Sequence, residues 1–573
     1  MKSLASSKCA GGLLVAFAMA SISLMTACGS SNNIVKPNQG GFGDGNLSGT
    51  YVISISGTDV NLNTSEVVPF AIVGTIVANG TGGIGSGTLD INDPGNLGVN
   101  IGAAVGSSSG YAISSDGRGT GTLVVPNVGS FNIDFVMATS SHGLISRFDD
   151  SGSDIGTGSG TIDLQTPTPG LGGSYAYSLS GVDPGDNPLG TVGAFTINSN
   201  SIGGTADYND FGTSGGGYMD LALSGQWNLG ASGASGTAQF NSPVANTSLG
   251  SLNLDVWVID STHLKLIETD ASGPFLSGDA FTQVTSLSPG QLVFVLSGID
   301  GGGEPVVAGG YATTDANGDL SSGVEDFNDN GTVITGKSFS TSSASCSGST
   351  GRCQLVLNGF SNGESQNFTF AVYPSSGAGQ ALEIDSFGLL QGASYAQSAT
   401  SFTGSGGYAL NLSGLNDGLN PNLEAGEWGE VDDIAQFDAG APGTSLTGTP
   451  NMTGLLDENN IGDLVGSTSM SGVYVPDSNA DGRGTISSSN PGTLLTGFTL
   501  QYYVVDSSTV VFIDVDSLAN DGEEAQLGVG TFEGQNSAAG GVAQGAAAQK
   551  ASAQSHVVIV HPAIRAHGAF QRK

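Results

Sequence analysis

Four segments of the chain open on the same phrase. Leu47 to Asp59 reads LSGTYVISISGTD, Leu171 to Asp183 reads LGGSYAYSLSGVD, Pro289 to Asp300 reads PGQLVFVLSGID, and Ser405 to Asp417 reads SGGYALNLSGLND. The starts lie about 115 to 124 residues apart, so the chain solves one folding problem four times. A second phrase, G-x-x-G-x-x-D-x-N-D, follows each opening, as in Gly203 to Asp210. A third, D-G-R-G, appears at Asp116 to Gly119 and again at Asp481 to Gly484. The rear segments from Phe135, Val256 and Tyr503 also align. These matches place units at 47–170, 171–286, 287–402 and 403–535. Unit three is the most altered in its rear half.

Within a unit, apolar and polar residues alternate over short stretches, as in Tyr51-Val-Ile-Ser-Ile-Ser, and Gly, Asn, Asp and Ser interrupt them. A period of two is that of half-buried strands, and no helical stripe competes with it. Turn signals such as Asn79-Gly80, Asp116-Gly117 and Asn317-Gly318 suit tight hairpins. The expected fold is all-β: four tandem antiparallel β-meander modules of roughly eight strands each, small up-and-down barrels or sandwiches. The 94 glycines sit mostly between these segments, as turns require.

Charge narrows the partners. Of the 13 basic residues, Lys2 and Lys8 precede residue 28, while Lys550, Arg565, Arg572 and Lys573 lie beyond residue 535. The other seven share the body with all 50 acids, which leaves it at −43. Such a surface repels phosphate backbones, so nucleic acid is excluded as a partner. Residues 536–573 read as a low-complexity, basic and disordered tail carrying His556, His561 and His567, whose spacing suits neither one helical nor one strand face.

The N-terminus is an address. A basic start with Lys2 and Lys8 leads into an apolar run from Ala10 to Met25, too short for a full span. It ends in Leu24-Met25-Thr26-Ala27-Cys28-Gly29. This resembles the lipobox of bacterial lipoproteins, with Met25 at the position usually held by Leu. The resemblance implies a signal peptide over 1–27, cleavage before Cys28, and acylation of Cys28 with palmitate-type chains that anchor the protein in a membrane. Gly29 resembles the residue that follows the cysteine in outer-membrane lipoproteins, facing either the surface or the periplasm. Residues 28–46 then read as a lipidated cysteine and a flexible tether. The whole order of motifs over 47–535 resembles uncharacterised tandem-repeat, β-rich lipoproteins of environmental bacteria, which lend no activity.

Catalytic patterns are sparse. A Ser or Cys nucleophile needs a base, and the body offers only His142 and His263, at corresponding places where unit four has Thr509. Paired carboxylates are uninformative among so many acids. The chain therefore reads as non-enzymatic and without a cofactor. Cys346 and Cys353 close a short loop and are expected to form a disulfide in an exported protein. Asp477, Asn479 and Asp481 have the D-x-N-x-D-G spacing of a calcium loop, but the twelfth position is Ser488 where that loop requires an acid. A hairpin turn is the leading reading there and a weak calcium site the second; Asp315 to Asp319 is similar. The leading functional expectation is a surface spacer, adhesin or interaction scaffold. The alternative is a set of ligand- or glycan-binding barrels; Trp227, Trp257 and Trp428 mark no site common to all units. Partners are the membrane through the lipid and an extracellular polymer, glycan or protein.

Overall fold

The computed structural model describes residues 41–61, 67–149, 155–211, 217–244, 249–316, 319–360, 367–376, 378–402, 407–417, 428–489, 498–516 and 526–537. Cys28, the signal, the tether up to residue 40, and the tail with His556, His561 and His567 lie outside them; residues 41–46, expected as the end of a flexible tether, are instead packed on module 1, with Phe42 in its core and Asn46 buried. Regular structure is β apart from one 3-10 turn, Asp44–Asn46.

Modules 2, 3 and 4 are closed antiparallel barrels of eight strands, running from Gly173–Val182 to Phe275–Thr282, from Gly290–Asp300 to Gly388–Ala396, and from Gly407–Asp417 to Gln526–Gly534. Each strand pairs with the next, and the last returns to the first, so they are up-and-down barrels and not sandwiches. Module 1 holds nine strands in one sheet between Ser48–Val60 and Gly156–Leu164. Its edges, Gly98–Ala104 and Gly110–Ile113, are successive in sequence. They flank a short break, and Gly110 reaches across the gap to a bridge with Gly83.

Eight strands leave an interior that side chains just fill, and here they do. Tyr175, Tyr177, Phe195, Trp227 and Phe240 fill barrel 2, with the Phe195 and Phe240 ring centroids 5.2 Å apart. Phe360 stands at the centre of barrel 3, edge-on to Phe327 and Phe370. Phe402, Tyr408, Phe437 and Phe532 fill barrel 4. The lumens are cores.

The outward faces are buried as well. Val52, Ala71 and Val73 of module 1 pack on Trp257, Ile259, Ile267 and Phe275 of module 2. Module 2 packs on module 3 through Val192, Ala194, Tyr373 and Leu382, and module 3 on module 4 through Val293, Val307, Tyr503 and Ile513. Module 4 then returns to module 1 through Ala409 and Ile434 against Val136, Ala138 and Leu144. The contacts close a ring. Opening strands that the alternation predicted as half-buried are therefore buried on both faces along much of their length, as at Tyr51, Val52 and Ile53.

One polar joint accompanies every contact, and the D-x-N-D phrase builds it. Its asparagine reaches into the next module and donates to backbone carbonyls: Asn92 to Glu268 (2.9 Å), Asn209 to Glu383 (2.9 Å) and Gly388 (2.8 Å), Asn328 to Asp516 (2.9 Å), and Asn459 of module 4 to Arg147 (2.8 Å) and Gly156 (2.9 Å) of module 1. Its first aspartate receives a donor from the next module. Arg352 grips Asp207 with two bonds of 2.7 Å, and Tyr373 donates to the same carboxylate at 2.6 Å. Arg483 and Tyr503 do the same to Asp326. Trp257 donates to Asp90 at 2.6 Å, and Arg118 lies 3.4 Å from Asp457. The joint arginines of modules 1 and 4 are those of D-G-R-G, so two phrases far apart in one unit are the two halves of a contact between units.

A linker glutamine repeats the pattern. Gln165, Gln283, Gln397 and Gln535 each follow the last strand of a module and donate to backbone carbonyls of the next, Gln535 to Asp116 and Met137 of module 1. The glutamine needs a bare backbone beneath it in three joints. Gly117, Gly351 and Gly482 have φ of 90°, 71° and 91°, and a Cβ at Gly482 would stand 2.5 Å from the Gln397 Nε2.

Two substitutions test the joints. Asn459→Ala removes the two Asn459 side-chain bonds to module 1 and is expected to cost about 2–3 kcal/mol in urea unfolding. Gly482→Ala forces a left-handed backbone on an L residue and displaces Gln397; an expected loss of roughly 1–3 kcal/mol can be read from the same titration. No change in either midpoint would mean the joint does not hold.

Candidate functional site

Each penultimate strand presents one residue at the same end of its lumen. Ile145, Leu266, Ala381 and Phe512 face their cores, and the residue two further on shares that face. It is Arg147 in module 1, Glu268 in module 2, Glu383 in module 3 and Asp514 in module 4, all 1% exposed or less. In modules 1, 2 and 3 its carbonyl accepts the joint asparagine, and in module 4 Asn328 reaches the Asp514 carbonyl at 3.2 Å. This end of the barrel is thus fixed by the neighbouring module.

In module 1 the position is filled by a cation. The Arg147 guanidinium lies 4.5 Å from the Phe70 ring centroid and 5.5 Å from that of Phe131. Asp149 accepts its Nε at 2.9 Å, and Asp59 lies 3.6 Å from its Nη1. In module 3 the same end is open. A cavity of ≈ 240 Å³ is lined by Asp300, Phe327, Phe368, Glu383, Ser386 and Phe387, among others. Burial, with Asp385 and then Asp300 nearby, pushes the Glu383 carboxyl well above its usual range. One oxygen of it accepts the Leu390 N–H at 3.0 Å. The Phe368 and Phe387 centroids are 5.9 Å apart, and Phe387 is 38% exposed.

A second polar centre lies where modules 1, 2 and 4 meet. Ser54, Ser56, Ser159, Thr161, Ser180, Lys265, Asp279, Asn411 and Glu533 are among the residues lining a cavity of ≈ 50 Å³. Both sequence histidines stand beside it as structural ion-pair members. His142 Nδ1 is 2.7 Å from Asp163, and its Nε2 is 3.3 Å from Glu533 of module 4. Burial opposes charge on His142, but Glu533 and Asp163 outweigh it and raise its pKa from 6.5 to about 10. Against the same burial, Lys265 (2.7 Å) and His263 (2.5 Å) hold Asp279 well below the carboxylate range.

Cys346 and Cys353 form the expected disulfide, with Cα atoms 3.9 Å apart; it ties the hairpin that carries Arg352 to the joint. In the calcium-like loop, Asp477 pairs with the Arg483 guanidinium and Asp481 accepts the Arg483 N–H at 3.0 Å. Asn479 is exposed, and the Asp481 carbonyl receives Gln397. The loop is the turn that seats the linker at the joint of modules 3 and 4. Among the described residues, no group of three or more His, Cys, Asp or Glu side chains is placed to hold a metal ion. Trp227 belongs to the core of barrel 2 and Trp257 to a joint; the Trp428 side chain lies outside the description.

No protein-family model matches the chain, and no curated protein matches it. Among solved structures, a point mutant of the vaccine antigen transferrin binding protein B from Haemophilus parasuis Hp5 aligns over 70% of this chain and 85% of its own, at 10% identity and a TM-score of 0.19. A double mutant of that antigen aligns over the same shares at 11% identity and 0.18. Intact Ap-TbpB, with N and C lobes, covers 85% of this chain and 95% of its own at 10% identity and 0.18.

The buried acids give a pH signature. Desolvation raises Asp134, Asp255 and Glu458 to about 7 and Glu268 to about 8. A folded pKa above the unfolded one means a contribution fully present below about pH 4 and lost as pH rises through 7 to 8. His142 acts in the same sense, its contribution present below about pH 6.5 and lost on approaching pH 10. The melting temperature is therefore expected to rise as pH falls from 8 to 5, and calorimetry across that range checks it. A flat or opposite trend would show these groups to be ionised in the native protein.

Proposed function

We infer that the protein is a non-enzymatic cell-envelope lipoprotein, anchored in the outer membrane through acylated Cys28, whose ring of modules serves as a rigid interaction scaffold for a protein, glycan or other polymer. The observation that carries the scaffold reading is the ring itself. Four lumens are occupied by core side chains, and a joint at each of the four contacts bonds neighbouring modules to one another. A chain of separately tethered modules would extend reach; a closed ring instead holds four outer surfaces in fixed relation, which suits multivalent contact. The anchor rests on the lipobox-like Leu24 to Cys28 and on the acidic body, which needs a covalent lipid to stay at an anionic membrane.

A second reading, small-ligand binding, is favoured at one place only, the open mouth of barrel 3. It is concave and mixes aromatic and polar lining.

Limited proteolysis of the soluble body tests the scaffold. The expected product is one fragment holding all four modules together under native conditions, with internal nicks leaving the pieces associated. Release of single-module fragments of about 115 residues would sink the ring as a working unit. In cells, Cys28→Ala is expected to abolish palmitate labelling and shift the protein to the soluble fraction; retained label would overturn the anchor.

A further inference from the structure

The lumen ends in modules 1 and 3 share a common frame of acids and one aromatic position. Asp59 and Asp300 close the same opening phrase. Asp149 and Asp385 each stand two residues beyond the penultimate-strand position. Each accepts a backbone N–H from the neighbouring strand, Asp149 from Asn132 and Asp385 from Thr369, which sets Phe131 against Phe368 in register. Two things differ: Val306 stands opposite the opening-phrase glycine where module 1 has Phe70, and the residue at the centre changes. Module 1 places Arg147 there, a cation held on two aromatic rings between two carboxylates. Module 3 places Glu383 there, and the space is a cavity.

We propose that the mouth of barrel 3 binds a small organic cation, an alkylguanidinium or alkylammonium group seated on Phe368 and Phe387 between Asp300 and Glu383, where module 1 carries its own arginine. This rests on the ligand-binding reading of that mouth and names its ligand class. The lining favours a cation in three ways. Aromatic faces carry negative quadrupoles that attract cations and repel anions. A bound cation favours the ionised form of Glu383 against the burial and neighbouring acids that otherwise raise it, and ionised carboxylates accept hydrogen bonds without donating any. No Lys, Arg or His is among the residues that line the cavity. A sugar would need donors as well as acceptors, and the side chains here supply little beyond the Ser386 hydroxyl. At long range the body's net charge draws cations toward the ring.

A matched pair of probes separates charge from shape. N-propylguanidinium reproduces the end of an arginine side chain, and N-propylurea is its uncharged counterpart. Titration of the soluble body, followed by ligand NMR line width, is expected to show saturable binding of the first and at least tenfold weaker binding of the second. Phe387→Ala, at a partly exposed ring, should weaken the cation by roughly three- to thirtyfold, the range of a cation–π contact. Glu383→Arg should abolish binding by rebuilding the module 1 arrangement, with the melting temperature maintained or raised. Equal binding of both probes would reject the cation class while leaving a ligand site at this mouth. No binding of either, or binding that survives both substitutions, would overturn the inference and leave the scaffold to stand on the proteolysis.

Discussion

The structure depends on an aspartate buried at a place where it could not be tolerated alone. Asp90, Asp207, Asp326 and Asp457 each sit at a register shift in the ladder between the third and fourth strands of their module. One carboxylate oxygen ties down the bulge by accepting an N–H from Gly102, Asp220, Gly336 or Ser467. Each of those four residues has a positive φ. The carboxylate is then presented to the next module, and without Arg352 or Arg483 it would be a buried uncompensated charge, a loss of about 3–5 kcal/mol. A bidentate guanidinium also has one good orientation, so the same contact that neutralises the charge sets the angle between modules. Because the joint runs head to tail, it would build a filament unless the rotation closed. Here the fourth module meets the first, and Asn459 and Gln535 make to module 1 the bonds that their equivalents make elsewhere.

The scarcity of cations follows from this use. Arg118, Arg352 and Arg483 are spent on joints, Arg147 on a lumen and Lys265 at the centre of the ring; Lys337 lies 3.9 Å from Glu325. The joint of modules 1 and 2 has no cation at all, and there the acids answer differently. Trp257 donates to Asp90, while burial and the facing Asp90 raise Asp255 to about 7. Neutralisation by a proton replaces neutralisation by arginine. The acidic composition thus includes solvated turn carboxylates outside and, inside, both carboxylates paired to Arg352, Arg483 or Lys265 and carboxyl groups raised by burial, such as Asp255 and Glu268.

Much of the fold was legible in the sequence because it is local. Strand alternation, hairpin turns and the fourfold phrase need only neighbours within one unit, and eight short strands suit a meander. Barrel closure was not legible, since a sandwich and a barrel of this length share the same period. The joints were hidden for a different reason. D-x-N-D and D-G-R-G consist of turn-forming residues, and within one unit each has a sufficient explanation as a turn; Asp477 and Asp481 even imitate a calcium loop. Their true partners lie 145 to 339 residues away. The available signal was that both phrases recur in register, carrying charges of opposite sign. The repeat position of His142 and His263 gave no hint of the ion pairs around them.

The exchange of Arg147 for Glu383 was also present in the aligned penultimate strands, as a reversal of charge at a position flanked by constant acids. Such a reversal inside a core cannot be neutral. In modules 2, 3 and 4 the acid at this position is raised by burial, and in module 3 it lines a cavity together with Asp300. Modules 2 and 4 carry the same acid at this position, Glu268 and Asp514, yet bond it to the backbone of Asp270 and Asp516. Module 3 alone combines the acid with two phenylalanines, Phe368 and Phe387, at the rim. A joint recurs at all four contacts, whereas the closed barrel is kept in modules 2, 3 and 4 and module 1 is a nine-stranded sheet with a break. The lumen end, which no joint side chain enters, was free to diverge, and it is where a ring of otherwise equivalent parts acquires a distinct chemical face.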